Sequence, residues 1–348
     1  MNEKDHGSEF IGSKEMDPQD ETAVLAFYQE NLKGFKRFIQ LWDWRKTYPS
    51  NSIKENILIA VEQNQAIKGC LGLVPARVSA AGRIINGVWQ QDSLVSHEAR
   101  GRGIGKKLVM KGNDSCSVAF AKGTSQAMYG LRKSLGYMDV PYSNLLIRAC
   151  RVRGGHDSIL KKVLLILPGI WATFMPFPRH YTSVRVSEIR EFDDSFDELD
   201  KTMLKGRIVR PHKGKDYLNV RYTKCPGKNY TVFKAGSKKT QGAIVLNCAG
   251  SGFKEGWIVD MICGFNDTST AYALIHKAVS HFNEKKVSRI WCFATHPEAR
   301  KWLYRFGFLP TNRSPKFTYF TKDKELQQKL NRCNWDFWHG DGDIELYQ

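Results

Sequence analysis

Arg100-Gly101-Arg102-Gly103-Ile104-Gly105 is the segment of this 348-residue chain whose residue types most directly imply chemistry. Glycine lets a backbone turn tightly and approach a ligand without Cβ interference. The segment follows a β-type run, Gly87 to Val95, and opens a stretch with helical periodicity at Ile104, Leu108 and Val109. The N–H groups in a helix's first turn have no acceptor within the helix and carry the positive dipole end behind them. The expected ligand is therefore a phosphate or pyrophosphate. Arg100, Arg102, Lys106 and Lys107 add positive charge. The spacing G-x-G-x-G lacks both the GK[ST] of a Walker loop and the closing G-x-x-G of a dinucleotide fingerprint.

The elements that must hold this loop are legible on either side of it. Glu21 to Phe35 has helical spacing, and two hairpins turn at Asn64–Gln65 and at Ala80 to Gly82, giving an antiparallel meander. After the loop come a helix over 104–113, a short strand Ser117 to Ala121, a helix Ser125 to Leu135 and a strand Tyr142 to Arg148. Strands first, then helices alternating with strands, predict a mixed, mostly antiparallel twisted sheet flanked by helices, of the α/β (α+β) class.

The second half repeats that order. WDWRKTYPSN (Trp42 to Asn51) is echoed by LNVRYTKCPG (Leu218 to Gly227), and VWQQDSLV by GWIVDMIC, which sets Asp260 168 residues after Asp92. RKSLGY is echoed by YRFGF, which sets Gly307 171 residues after Gly136. The near-constant offset predicts two tandem domains, 17–150 and 198–348, joined by a linker over 151–197.

LVSHEARGRGIGKKLV (Leu94 to Val109), with the later SLGY, resembles the acetyl-coenzyme A loop V-x-P-x-x-[QR]-G-x-G-x-G and the xLGF close of the GNAT N-acetyltransferases, with His97 where the pattern usually has proline. The resemblance covers most of 23–148 and, more faintly, 215–321. It implies that the backbone from Arg102 to Lys106, spanning Gly103, Ile104 and Gly105, holds the coenzyme A pyrophosphate, with Arg100 and Gly101 shaping the turn. It implies that the strand ending at Leu94 and Val95 splays from the strand near Ser117 to admit the pantetheine arm, and that a backbone N–H near Leu94 or Val95 polarises the thioester carbonyl. An aliphatic ammonium with a pKa of about 10.4 must lose a proton before attack, at a cost near pH 7 of roughly 4.6 kcal/mol. Asp92, similar to the acidic position many GNAT members carry on this strand, is the candidate base. The family often places a proton-donating tyrosine where this chain has Arg132; Tyr129, one helical turn earlier, is the substitute candidate.

The second half has no [QR]-G-x-G-x-G after Asp260 and resembles a GNAT module turned to another use. Its expected role is one wall of an acceptor pocket, with Asp260 and the tail: Trp335 and Trp338 to stack on a ring, Asp341 and Asp343 to attract an amine. The leading expectation is an acetyl-CoA-dependent N-acetyltransferase acting on a small amine such as an amino sugar or amino-acid derivative. A Fem-type transferase drawing on aminoacyl-tRNA and a non-catalytic acyl-CoA sensor are the alternatives.

Composition fits these readings. The chain, of 39.8 kDa, has 42% hydrophobic and 25% charged residues, which excludes collagen-like, coiled-coil and wholly disordered classes. A net charge of +18 favours a polyanionic partner, and between Lys201 and Thr240 twelve Lys or Arg stand against the single acid Asp216. That block would suit tRNA in the Fem-like alternative; the leading reading expects no nucleic acid. The eight cysteines form no CxxC pair, so neither a metal site nor a disulfide framework is expected. Met1 to Met16 has no apolar core, which makes a secretory signal unexpected and the cytoplasm the default. Val163 to Phe177 is apolar but too short and too interrupted by proline and glycine to span a bilayer. A buried linker or peripheral membrane contact is expected there. The sequence leaves the oligomeric state open.

Overall fold

The computed structural model describes residues 12–45, 56–62, 65–80, 82–150, 183–204, 206–237, 239–249 and 255–342. The first half runs β1 (Gly12–Glu15), α1 (Glu21–Asn31), α2 (Phe35–Arg45), β2 (Asn56–Val61), β3 (Ile67–Ala80), β4 (Arg83–Val95), α3 (Ile104–Asp114), β5 (Val118–Ala121), α4 (Gln126–Ser134), β6 (Met138–Asp139) and β7 (Leu146–Ala149). The second runs β8 (Val186–Ile189), α5 (Ser195–Met203), β9 (Ile208–Pro211), β10 (Thr231–Ala235), β11 (Gly242–Ala249), β12 (Glu255–Cys263), α6 (Thr268–Glu284), β13 (Arg289–Cys292), α7 (Pro297–Arg305), β14 (Leu309–Pro310), β15 (Thr318–Phe320), α8 (Lys324–Asn331) and β16 (Asn334–Trp335). The helix expected over 21–35 ends at Asn31, and a second helix, unforeseen in the sequence, begins at Phe35 after Gly34 adopts φ +96°.

These elements build two mixed sheets. One has the order β1-β2-β3-β4-β5-β15-β6, with β9 on the far end of β3 and β16 on β9; the other has the order β14-β7-β13-β12-β11-β10-β8. In each, a meander leads to one parallel pair: β4 with β5 (Gly87 opposite Val118) and β12 with β13 (Glu255 opposite Arg289). Each sheet also bulges at the corresponding place. Cys70 and Gly72 face Leu94 and Gln91, so β4 carries the extra residue at Asp92–Ser93; Val245 and Leu246 face Asp260 and Ile258, so β12 carries it at Val259.

The halves exchange their last long strands. β7 pairs with β13 and β14 of the second sheet, while β15 inserts between β5 and β6 of the first. The strand expected to close the first sheet thus closes the second. A shared aromatic core of Trp89, Phe120, Phe293, Phe317, Trp335 and Phe337 fills the joint. In the first half α3 covers one face through Ile104, Leu108 and Val109, and α1 and α2 the other through Val24, Tyr28, Phe38 and Trp42. Among the described residues no helix is long and apolar enough to cross a membrane. The stretch 163–177 and most of the expected linker lie outside them.

Candidate active site

The glycine-rich segment forms a turn between β4 and α3. Gly101 and Gly103 both have left-handed backbone, φ +84° and +77°, and Gly103 is the residue before the first helical position of α3. A Cβ built on either meets nothing within 4 Å, so the outer side of the turn is open. Gly105 packs: a Cβ there would touch Leu131, Val95 and Met128 at 3.6–3.9 Å, which ties the start of α3 to the end of β4 and to α4. Arg100 Nε donates to the Val95 carbonyl at 3.3 Å, fixing the turn to the strand it leaves. Arg102 pairs with Glu62 at 3.0 Å.

The strands part beside this turn. Pairing of β4 with β5 stops at Trp89 opposite Phe120, while β4 continues to Val95 against β3 alone. A cavity of about 340 Å³ occupies the gap, lined by Gln90 to Ser93 of β4, by Lys122 to Ser125 after β5, and by Met128 and Arg132 of α4. Asp92 sits at the bulge with φ +50°, half-buried, its carbonyl accepting the Tyr28 hydroxyl at 3.2 Å. Asp92 lines the cavity, and β4 runs on from the bulge through Leu94 to Val95, whose carbonyl accepts Arg100 of the glycine turn and whose side chain lies beside Gly105.

Tyr129 lies elsewhere. Its hydroxyl donates to Asp139 at 2.9 Å, on the exposed side of α4, and that bond raises its pKa. Arg132 lines the cavity instead and is 1% exposed. Its Nη2 reaches the Gln90 carbonyl at a long 3.4 Å and its guanidinium lies 5.9 Å from the Tyr137 ring, while among the described residues its Nε and Nη1 have no hydrogen-bond partner.

The five expected acceptor residues of the second half are divided. Trp335 and Trp338 are 2% and 1% exposed and pack in the core, with no ring face left for an incoming ligand. Asp260 and Asp341 are fully buried and clamp Lys213 at 2.7 and 3.0 Å, and Tyr222 donates to Asp260 at 2.7 Å. Burial works against the Lys213 ammonium, but the carboxylates around it hold its pKa above the ordinary value; burial raises Asp341, with Lys213 opposing. Asp343 lies outside the described residues. The reason for this burial is the strap 336–342. Gly340 N–H donates to Val259 at 2.8 Å on β12, Thr295 N–H donates to Phe337 at 3.1 Å beyond β13, and Ala294 bridges Trp338. The chain's own strap fills the second sheet's counterpart of the β4/β5 gap. Lys122 donates to the strap carbonyls of Trp338 and His339 at 3.2 and 2.9 Å, so the strap also abuts the first cavity.

Among the described residues, part of the basic block is buried or paired with acids. Arg210, Lys213 and Arg221 are buried, and Arg210, Lys213, Lys215, Lys234 and Lys201 pair with acids outside or at the edge of the block.

No protein-family model matches the sequence, and no curated protein is detectably similar to it. Solved structures are similar in shape. A GCN5-related N-acetyltransferase from Anabaena variabilis superposes with TM-score 0.63 at 10% identity, over 90% of this chain and 73% of that one. One from Kribbella flavida gives 0.59 at 12% identity, over 91% and 72%. The fold is the one these two GCN5-related N-acetyltransferases share. Saccharomyces cerevisiae N-myristoyltransferase, solved with bound myristoyl-CoA, is also similar, with TM-score 0.54 at 11% identity over 91% of this chain and 87% of that one. In the first sheet the glycine turn, the bulge and the parted strands adjoin one another. Sequence reasoning missed Ser93, Lys122 and Thr124, whose places in the cavity come from the bulge and from the turn after β5 rather than from a motif.

Proposed function

We propose that the chain is an acyl-CoA-dependent N-acyltransferase, with acetyl-CoA as donor and a small amine as acceptor, working in the cytoplasm through a ternary complex. The observation that carries this reading is the parting of β4 from β5 immediately beside the open turn at Gly101 and Gly103. The turn suits a diphosphate, because left-handed glycines and the first amides of α3 present N–H groups with no side chain in front of them. The gap beyond Trp89 suits an extended arm that takes the place of a paired strand. Residues 17–150 would supply this donor site, and 198–348, joined through 151–197, a wall of the acceptor side.

In the mechanism the ammonium of the acceptor first gives a proton to Asp92, directly or through water. The free amine attacks the thioester carbon, helped by a backbone N–H near Leu94 or Val95. Holding donor and acceptor on adjacent strands supplies much of the rate, as proximity does in acyl transfer generally. The carboxylate of Asp341, buried against Lys213, is held within the fold in this reading, and acceptor selection passes to the cavity rim around Asp92 and Lys122.

Calorimetry with coenzyme A, followed by thiol release from acetyl-CoA and from longer acyl-CoA donors across an amine panel, tests the reading. Amine-dependent thiol release supports the enzyme, tight binding without release supports an acyl-CoA sensor, and absence of coenzyme A binding removes both. Salt-sensitive retention of tRNA would revive the Fem-like alternative; the burial and pairing within the basic block weigh against it.

A further inference from the structure

Three buried polar groups around the β4/β5 cavity are left without hydrogen-bond partners among the described residues: Ser93 Oγ on the bulge, Thr124 Oγ1 after β5, and Arg132 through Nε and Nη1 on α4. Each belongs to a different element, and all line one space. Buried polar groups are almost always paired, and a buried guanidinium without an anion is costlier still. Three unpaired groups around one cavity describe a site lacking its ligand's acceptor atoms, and the fixed charge at that site is positive.

We infer that Arg132, assisted by Ser93 and Thr124, stabilises the departing sulfur of the acyl donor as a thiolate, in place of a proton-donating acid. This rests on the acyl-CoA reading above. As the amine nitrogen bonds to the carbonyl carbon, the carbon–sulfur bond breaks and its electron pair goes to sulfur. Asp92 passes the ammonium's proton on to solvent water before the attack and so can take the second proton, which the nitrogen loses as the tetrahedral intermediate collapses; the thiolate then leaves the guanidinium and takes its own proton from water. An arginine is protonated throughout the working pH range and stabilises by charge rather than by transferring a proton. A positive charge already fixed where negative charge develops stabilises it with no reorganisation at the moment of reaction.

Other ionisable groups face that space or, in the case of Tyr137, Arg132 itself, whose guanidinium lies 5.9 Å from the Tyr137 ring. Asp92 on β4 opposes the effect by its like charge. Lys122 after β5 adds to it, but its ammonium is held by the strap carbonyls of Trp338 and His339. Tyr137, after α4, is buried with its hydroxyl against Asn113 and Gln90, and burial raises its pKa.

The test is the ionisation of coenzyme A bound to the full chain, followed by thiolate absorbance across pH, with desulfo-coenzyme A as the blank. The bound thiol is expected to ionise at least one pH unit below the free thiol, a tenfold gain in thiolate. Arg132→Gln should abolish that shift and Arg132→Lys should keep part of it, while desulfo-coenzyme A binds all three proteins alike. An unshifted thiol in the wild-type protein overturns the inference, whatever the variants do. A full shift persisting in Arg132→Gln also overturns it and assigns the effect to Lys122. If neither coenzyme A nor its desulfo form binds, the acyl-CoA reading fails and takes this inference with it; binding without a shift leaves that reading standing.

Discussion

A side chain at position 103 would stand in open space, so its structural cost is the left-handed backbone alone. Gly103→Ala is therefore expected to lower stability by about 1 kcal/mol in denaturant titration. Gly103→Glu should cost a similar amount and also eliminate coenzyme A binding in calorimetry, because it adds negative charge where a diphosphate is to sit; unchanged affinity would move the donor site elsewhere. Asp92 has φ +50°, a conformation asparagine tolerates among L-residues, so Asp92→Asn should keep the bulge. Its turnover is expected to fall by about 100- to 10,000-fold, as general-base loss does. A fall below about tenfold would return Asp92 to a structural role.

Between elements, closeness is set by glycine and by caps. A Cβ on Gly112 of α3 would lie 2.8 Å from Gln90 Nε2 and 3.1 Å from Leu73, so Gly112→Ala should push α3 from the sheet and lower stability by about 1–3 kcal/mol. A melt as high as wild type would show that α3 shifts freely. His296 caps α7, accepting the Glu298 N–H at 3.2 Å, and stacks on Phe265; burial lowers its pKa from 6.5 to about 4. Between about pH 4 and 6.5 the folded state favours the neutral form and the unfolded chain the protonated one. The contribution of His296 is fully present above about pH 6.5 and is lost as pH falls towards 4, by up to about 3 kcal/mol. His296→Asn, which caps without titrating, should flatten that part of the stability–pH curve; an unchanged curve would exclude His296 as its source.

At the scale of the molecule, the exchange of β7 and β15 leaves neither sheet complete within its own half. A fragment ending at residue 150 lacks the strand between β5 and β6 and carries β7 without a partner. It is expected to be unfolded by circular dichroism and unable to bind coenzyme A, whereas co-expression with the remaining chain should restore both. The intact protein should unfold in a single calorimetric transition, because the aromatic core around Trp89, Phe317 and Phe337 belongs to both halves. Two separated transitions would show that the halves are independent.

The glycine turn, the helix it opens and the repeated order of elements were legible from the sequence, since positive φ, a free helix start and the 3.6- and 2-residue periods are local properties. The offset between Asp92 and Asp260 marked equivalent positions, and both fall at bulges. Their different surroundings were not legible. Which sheet receives β7 or β15 depends on competing pairings between two strands of similar pattern, and local composition does not rank them. The acidic, aromatic tail read as an acceptor wall, yet the strap it forms is buried in the second gap, because folding supplies Lys213, Arg221 and the edges of β12 and β13 as its partners. Likewise, only the tertiary structure turned Arg132 rather than Tyr129 into the cavity, because helix rotation is fixed by what packs beneath it.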